Sequence, residues 1–132
     1  MATLTPAQAE LFKEANYAVL STLRADGSPH NTPVWVDYDG SNVSINTVIG
    51  RAKHRHIERD PRVTLTIMKE PYKWISVSGR VTGMSTDGAD AQIDRLAKKY
   101  LGEDKYPWHY EGDVRIGAVL AIDKIDSLGI EG

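Results

Sequence analysis

The chain has 132 residues, 41% of them hydrophobic and 26% charged, with a formal net charge of −2 and no cysteine. That suits a single domain over residues 1–132 with one core, and it excludes disulfides, thiolate catalysis, cysteine-ligated metal and cysteinyl attachment of a flavin. The slight negative charge argues against a general nucleic-acid binder; no apolar run is long enough to span a bilayer, and no basic-then-apolar leader opens the chain, so the expectation is a cytoplasmic protein without a membrane partner.

In chain order, Thr5-Pro6-Ala7-Gln8 has the form of a capping box with proline at the first helical position, which predicts a helix to about Glu14. Tyr17 to Leu23 is rich in β-formers and is followed by the turn signal Asp26-Gly27. A second strand is predicted over Asn31 to Tyr38, with Pro29 and Pro33 marking an edge or an irregular start. After a turn at Asp39-Gly40, Val43 and Ile45 alternate with Asn42, Ser44 and Asn46, the pattern of a half-buried strand.

Thr47 to Val63 is the most distinctive stretch. It predicts the end of a strand, a short helix bounded by Gly50 and Asp60-Pro61, and a new strand. Arg51 and Lys53 are expected in the first helical turn, where the macrodipole is positive and backbone N–H groups are free. A bound anion turns this unfavourable placement into a favourable one. The bland alternative is a solvated basic face.

Beyond it, Val63, Leu65 and Ile67 alternate with threonines, and Trp74 to Met84 continues the pattern with Gly79 and Gly83 as bends or close approaches. Ile93, Leu96, Ala97, Tyr100 and Leu101 fall at helical spacing before Gly102. Residues 103–113 read as an aromatic loop, and Ile116 to Ile122 as the last strand. The sum is about six strands and three helices, mostly joined by hairpins, which describes a mainly β, closed or nearly closed antiparallel barrel with flanking helices. No Gly-rich strand-to-helix turn supports a dinucleotide fold.

Gly50-Arg51-Ala52-Lys53-His54-Arg55 followed by Glu58-Arg59-Asp60-Pro61-Arg62-Val63 resembles the signature of the pyridoxamine 5′-phosphate oxidase-like flavin-binding family. More closely, it resembles the deazaflavin (coenzyme F420) oxidoreductases of the flavin/deazaflavin B group. Tyr17–Leu23, Asp26–Trp35, Ser78–Val81 and Asp113–Ile116 also fit, so the resemblance covers nearly the whole chain. It implies a split β-barrel of the FMN-binding, Greek-key type, forming a homodimer with cofactor sites at the subunit interface. It places Arg51 and Lys53 on the phosphate-bearing tail, with Gly50 and Arg55 beside them. Asn31, Thr32, Pro33, Val34 and Trp35 line the ring, and Asn46 and Thr47 end the strand that feeds the phosphate site. The implied function is hydride transfer between reduced F420 and a small unsaturated organic acceptor. The alternatives are an FMN- or haem-binding split-barrel protein and a non-enzymatic cofactor carrier.

The remaining candidates carry weaker signals. His54 and His56 are expected on the surface and, two residues apart on a helix, suit no single metal. His30 and His109 are candidates for proton donation or haem ligation. Trp74 is expected at a dimer interface, and Trp108, Tyr106 or Tyr110 at a substrate pocket. Arg59 is expected either to serve the cofactor tail or to pair with Asp60 or another carboxylate. Asp87, Asp90 and Asp94 read as a solvated helix face. No catalytic side-chain constellation is legible from spacing.

Overall fold

The computed structural model describes residues 2–130. Its elements are α1 (Pro6–Lys13), β1 (Ala18–Leu23), β2 (Pro29–Val34), β3 (Asp37–Tyr38), β4 (Val43–Val48), α2 (Ala52–Arg59), β5 (Arg62–Glu70), β6 (Lys73–Ser85), α3 (Ala89–Leu101) and β7 (Arg115–Leu128). The seven strands form one antiparallel sheet in the order β2-β1-β5-β6-β7-β4-β3.

That order forces curvature. β2 and β3 lie at opposite edges, yet only Trp35 and Val36 join them. A flat sheet of this width separates its edges by about 29 Å. The link from Val34 to Asp37 reaches roughly 10 Å at most. The sheet is therefore rolled into a barrel that splits between β2 and β3. Its interior holds the alternate residues of each strand, among them Leu20, Ile45, Leu65, Ile67, Ile75 and Val77, all essentially without exposure. Phe12 and Leu11 of α1 join this core. The expected capping box holds α1 in place: Gln8 N–H donates to Thr5 Oγ1 (3.2 Å), and Thr5 N–H donates to Gln8 Oε1 (2.9 Å).

Two sequence expectations change. The single strand predicted over Asn31 to Tyr38 is two strands, β2 and β3, so there are seven rather than about six. The cause is the hydrogen bonding of Val36. Its N–H donates to Tyr100 Oη (3.0 Å) and its carbonyl accepts from Lys99 Nζ (2.8 Å). Both backbone groups thus leave the ladder for α3, while the Val36 side chain is fully buried. Pro29 and Pro33 are accommodated because β2 is an edge strand.

The second change is at β4, which was expected to be half-buried. α3 covers its polar face: Gln92 Nε2 donates to Ser44 Oγ (3.0 Å) and Asn46 Nδ2 donates to Gln92 Oε1 (3.0 Å). Ser44 is buried in consequence. Gly102, at φ 75°, ends α3 as the sequence predicts. No described helix is long and apolar enough to cross a membrane.

The long strands β6 and β7 pair along most of their length, with register shifts next to Gly79 and Gly83. A Cβ on Gly79 would lie 1.8 Å from the Ala121 carbonyl oxygen, whereas one on Gly83 meets nothing within 4 Å. Gly79→Ala is therefore expected to destabilise the fold by about 2–3 kcal/mol, since a backbone collision is not relieved by a rotamer change. Gly83→Ala is expected to leave the urea midpoint unchanged or slightly raised. Equal midpoints for the two variants would refute this account of the β6–β7 register.

Candidate functional site

The barrel closure brings the end of β2, the end of β4 and the start of α2 to one side. There they meet α3, the loop after it and the start of β7. The space between them is a cavity of about 230 Å³. Pro33, Val34 and Trp35 form one wall, and Asn46 and Thr47 a second. Arg51 and Lys53 line the mouth of α2, Ile93 and Leu96 come from α3, and Tyr17, Tyr106, Trp108 and Arg115 complete the lining.

The aromatic wall is ordered by stacking. Trp35 lies parallel to Tyr100 (centroids 5.3 Å apart, planes at 5°) and edge-on to Tyr106 (5.9 Å, 85°). Tyr106 is in turn edge-on to Trp108 (5.7 Å). Tyr100 is fixed behind Trp35 because its hydroxyl donates to Asn16 O (2.8 Å) as it accepts from Val36. Burial raises the Tyr100 pKa, so the hydroxyl stays protonated for this task.

The mouth of α2 is cationic. Arg51 is the N-cap, with extended backbone (φ −72°, ψ 165°), not a residue of the first turn as the sequence suggested; Lys53 is in that turn. No side chain caps the helix by hydrogen bonding. The N–H groups of the first turn have no helical acceptors. His54 Nδ1 instead accepts from the Gly50 N–H (3.1 Å), which stabilises the turn into the helix. Arg51 pairs with Asp113 across 3.3 Å. Lys53 has no ion-pair partner among the described residues. Burial, and then the Arg51 charge, lowers its pKa.

Of the residues expected from sequence, Pro33, Val34, Trp35, Asn46, Thr47, Arg51 and Lys53 are thus brought together. Asn31, Thr32, Gly50 and Arg55 do not line the cavity. Asn31 Oδ1 accepts from Ser21 Oγ, Thr32 Oγ1 is buried without a partner, and Arg55 donates to the Gly50 carbonyl. Gly50, at φ 91°, makes the turn that aims the helix mouth.

Several further expectations are corrected. His54 and His56 are buried, not superficial, because α2 packs against β1 and β4. His56 Nδ1 shares a hydrogen bond with Thr22 Oγ1 (2.9 Å) and lies edge-on to His30 (5.1 Å). Burial first, then the neighbouring His30 and arginines, lowers the His56 pKa. Among the described residues Arg59 pairs with no carboxylate; it donates to Leu23 O (2.8 Å). Asp60 is taken by Arg62, whose bidentate hydrogen bonding lowers the Asp60 pKa to about 2. Asp94 is not part of a solvated face. Its Oδ1 accepts from the Tyr106 N–H (2.9 Å), and that bond lowers its pKa. No group of three or more His, Cys, Asp or Glu able to hold a metal occurs among the described residues.

Arg115, Ile93, Leu96 and Tyr17 line the cavity although the sequence assigned them only to a strand, to a helix or to the family resemblance and not to the site. Arg115 follows strand alternation onto the outer face of the barrel. What buries it is the loop after α3, which no local pattern announces.

The residues fit a phosphate-bearing planar ligand. The helix mouth supplies N–H donors and two cations, and the adjoining wall is apolar and aromatic. The model of the pyridoxamine 5′-phosphate oxidase family matches residues 4–123. A solved structure named F420 reductase superimposes with TM-score 0.81 at 24% identity, covering 93% of this chain and 98% of its own. A putative pyridoxamine 5′-phosphate oxidase from Listeria innocua gives 0.70 at 14%, covering 91% and 94%. A heme binding protein from Mycobacterium smegmatis gives 0.66 at 18%, covering 99% of this chain and 57% of its own. At these identities the superpositions speak for the fold alone. No curated protein sequence matches the chain.

A bound anion favours the charged form of Lys53, and the ligand-free protein partly disfavours it. Affinity for a phosphate-bearing ligand should be full below the lowered pKa of Lys53 and fall as pH rises through it, before 10.5 is reached. Lys53→Arg, whose side chain does not titrate there, should abolish this alkaline limb. A limb that persists in Lys53→Arg would assign the titration to another group.

Proposed function

The chain belongs to the pyridoxamine 5′-phosphate oxidase family, and from that premise we propose that it is an oxidoreductase that binds coenzyme F420 in this cavity and uses it on a small unsaturated organic acceptor. The observation that carries the proposal is the pair Arg51 and Lys53 at an uncapped helix start beside an aromatic cleft. The preference for F420 over FMN rests on the resemblance of Gly50–Val63 to the deazaflavin oxidoreductases, and the fold shared with a structure named F420 reductase is in keeping with it. Haem has less support, because no described histidine lines the cavity.

When bound, the deazaflavin ring supplies a hydride donor or acceptor. The protein's part is positioning. Arg51, Lys53 and the first-turn N–H groups hold the phosphate. Pro33 to Trp35 would flank the ring, and Ile93 and Leu96 would add apolar lining that excludes water. No described side chain is assigned a proton-transfer role; water is the proposed proton source.

The cavity of about 230 Å³ falls below the range of roughly 300–1,000 Å³ usual for small-molecule sites. Tyr17, Ile49, Trp108, Tyr110 and Val114 are exposed apolar residues in the segments around it. Both facts support a homodimer in which a second chain completes each site. Light scattering should give a dimer at micromolar concentration; a monomer with full cofactor affinity would remove this part of the proposal.

Titration should show tighter binding of F420 than of FMN or haem, and reduced F420 should be oxidised by a conjugated acceptor. Arg51→Ala and Lys53→Ala should each weaken cofactor binding about tenfold or more, or about 1.5–3 kcal/mol. Their cofactor-free melting temperatures should change little, since the exposed Arg51–Asp113 pair contributes at most about 1 kcal/mol. Arg62→Ala, which breaks only the Asp60 pair, should leave affinity unchanged. Tighter binding of FMN, or unchanged affinity in the first two variants, would overturn the assignment.

A further inference from the structure

Arg115 opens β7 and is 6% exposed. Its Nη1 donates to Asn46 Oδ1 (3.4 Å), and its Cζ lies 4.6 Å from the centroid of the Tyr106 ring. Nε and Nη2 are buried with no hydrogen-bond partner. The carboxylates nearby in the fold are committed elsewhere. Asp113 pairs with Arg51, Asp37 with Arg95, and Asp94 with Lys105 and the Tyr106 N–H.

Nε and Nη2 together form one edge of the guanidinium fork, the edge that meets both oxygens of a planar oxyanion side-on. A buried cation with that edge unfilled is a poor structural element. In the proposed function the phosphate is held by Arg51 and Lys53 at the helix mouth, whereas Arg115 lies against the Tyr106 ring and beside Asn46 in the same cavity. Resting on the cavity as a cofactor and acceptor site, we propose that Arg115 receives the carboxylate of the acceptor, and that Tyr106 is the gate that swings off the guanidinium to admit it. The substrate class is then a small, planar, conjugated carboxylic acid. Opening the gate disturbs the edge-on contacts of Tyr106 with Trp35 and Trp108, so tryptophan emission reports it.

The probes are benzoate and its neutral isostere benzamide, titrated against cofactor-free protein with tryptophan emission as the signal. Benzoate should bind at least tenfold more tightly than benzamide. Arg115→Met should erase that preference while its melting temperature equals or exceeds that of the wild type, because a buried charge with two unfilled donors and no carboxylate partner among the described residues is removed. Arg115→Lys, which keeps the charge and loses the fork, should retain part of the preference. No preference in the wild type, or a preference that survives in Arg115→Met, would overturn the proposal. A lower melting temperature for Arg115→Met would also overturn it, by making Arg115 a brace for Tyr106. Benzoate binding that saturating F420 excludes would assign Arg115 to the cofactor and sink the acceptor role. The benzoate arm uses cofactor-free protein and the cofactor titrations use no benzoate, so each fails without the other.

Discussion

Trp35 and Val36 must join the two edges of a seven-stranded sheet, and much of the structure follows from that short reach. The sheet has to roll, and the backbone of Val36 has to leave the ladder at the seam. Its two polar groups are buried and need partners. α3 supplies them through Tyr100 and Lys99. Lys99 also donates to Phe12 O (2.6 Å), so one ammonium ties the seam, α1 and α3 together. Burial lowers the Lys99 pKa, the electrostatic consequence of holding a cation there. Trp35 itself is left beside the seam, stacked on Tyr100, as one wall of the cavity.

The cavity inherits an uneven charge from this arrangement. Arg51, Lys53 and Arg115 line it, and among the described residues only Arg51 has a carboxylate partner. Cations at a helix N-terminus and a guanidinium with an unfilled buried edge both weaken the ligand-free fold, the latter by several kcal/mol in general terms. Their neighbours are instead well satisfied: Asn46, Gln92 and Ser44 form a connected network. Among the described residues, buried side-chain atoms without partners occur on Arg115 in the cavity and on His30 and Thr32 of β2 outside it; at Arg115 the proposed anionic ligand would supply the missing acceptors. Strain of this kind is commonly local to functional sites.

Family membership and this charge pattern bear on different questions. The family model accounts for the rolled sheet and for a flavin-type cofactor as the ligand class. Similar folds with different named ligands, an F420 reductase and a heme binding protein among them, mean that specificity lies in side chains grafted on the barrel. Here the proposed ones lie on α2, on β7 and in the loop after α3.

Local sequence determined a large part of the fold. The capping box set α1, Gly50 and Asp60-Pro61 bounded α2, Gly102 ended α3, and period-two alternation located the inward faces of β4 and β5. These signals are legible because backbone dihedrals and hydrogen-bond geometry respond to immediate neighbours. The same locality made Arg51 and Lys53 conspicuous, since two cations at a helix start conflict with the dipole whatever the helix packs against. Tertiary structure alone decided the rest. It split Asn31–Tyr38 into two strands, because α3 drew the Val36 backbone away. It buried His54 and His56 by packing α2 on β1 and β4. It covered Ser44 and Asn46 with Gln92, and it closed Tyr106 over Arg115. Alternation gives the face on which a side chain lies, but burial of the outer face depends on where a helix distant in sequence comes to rest.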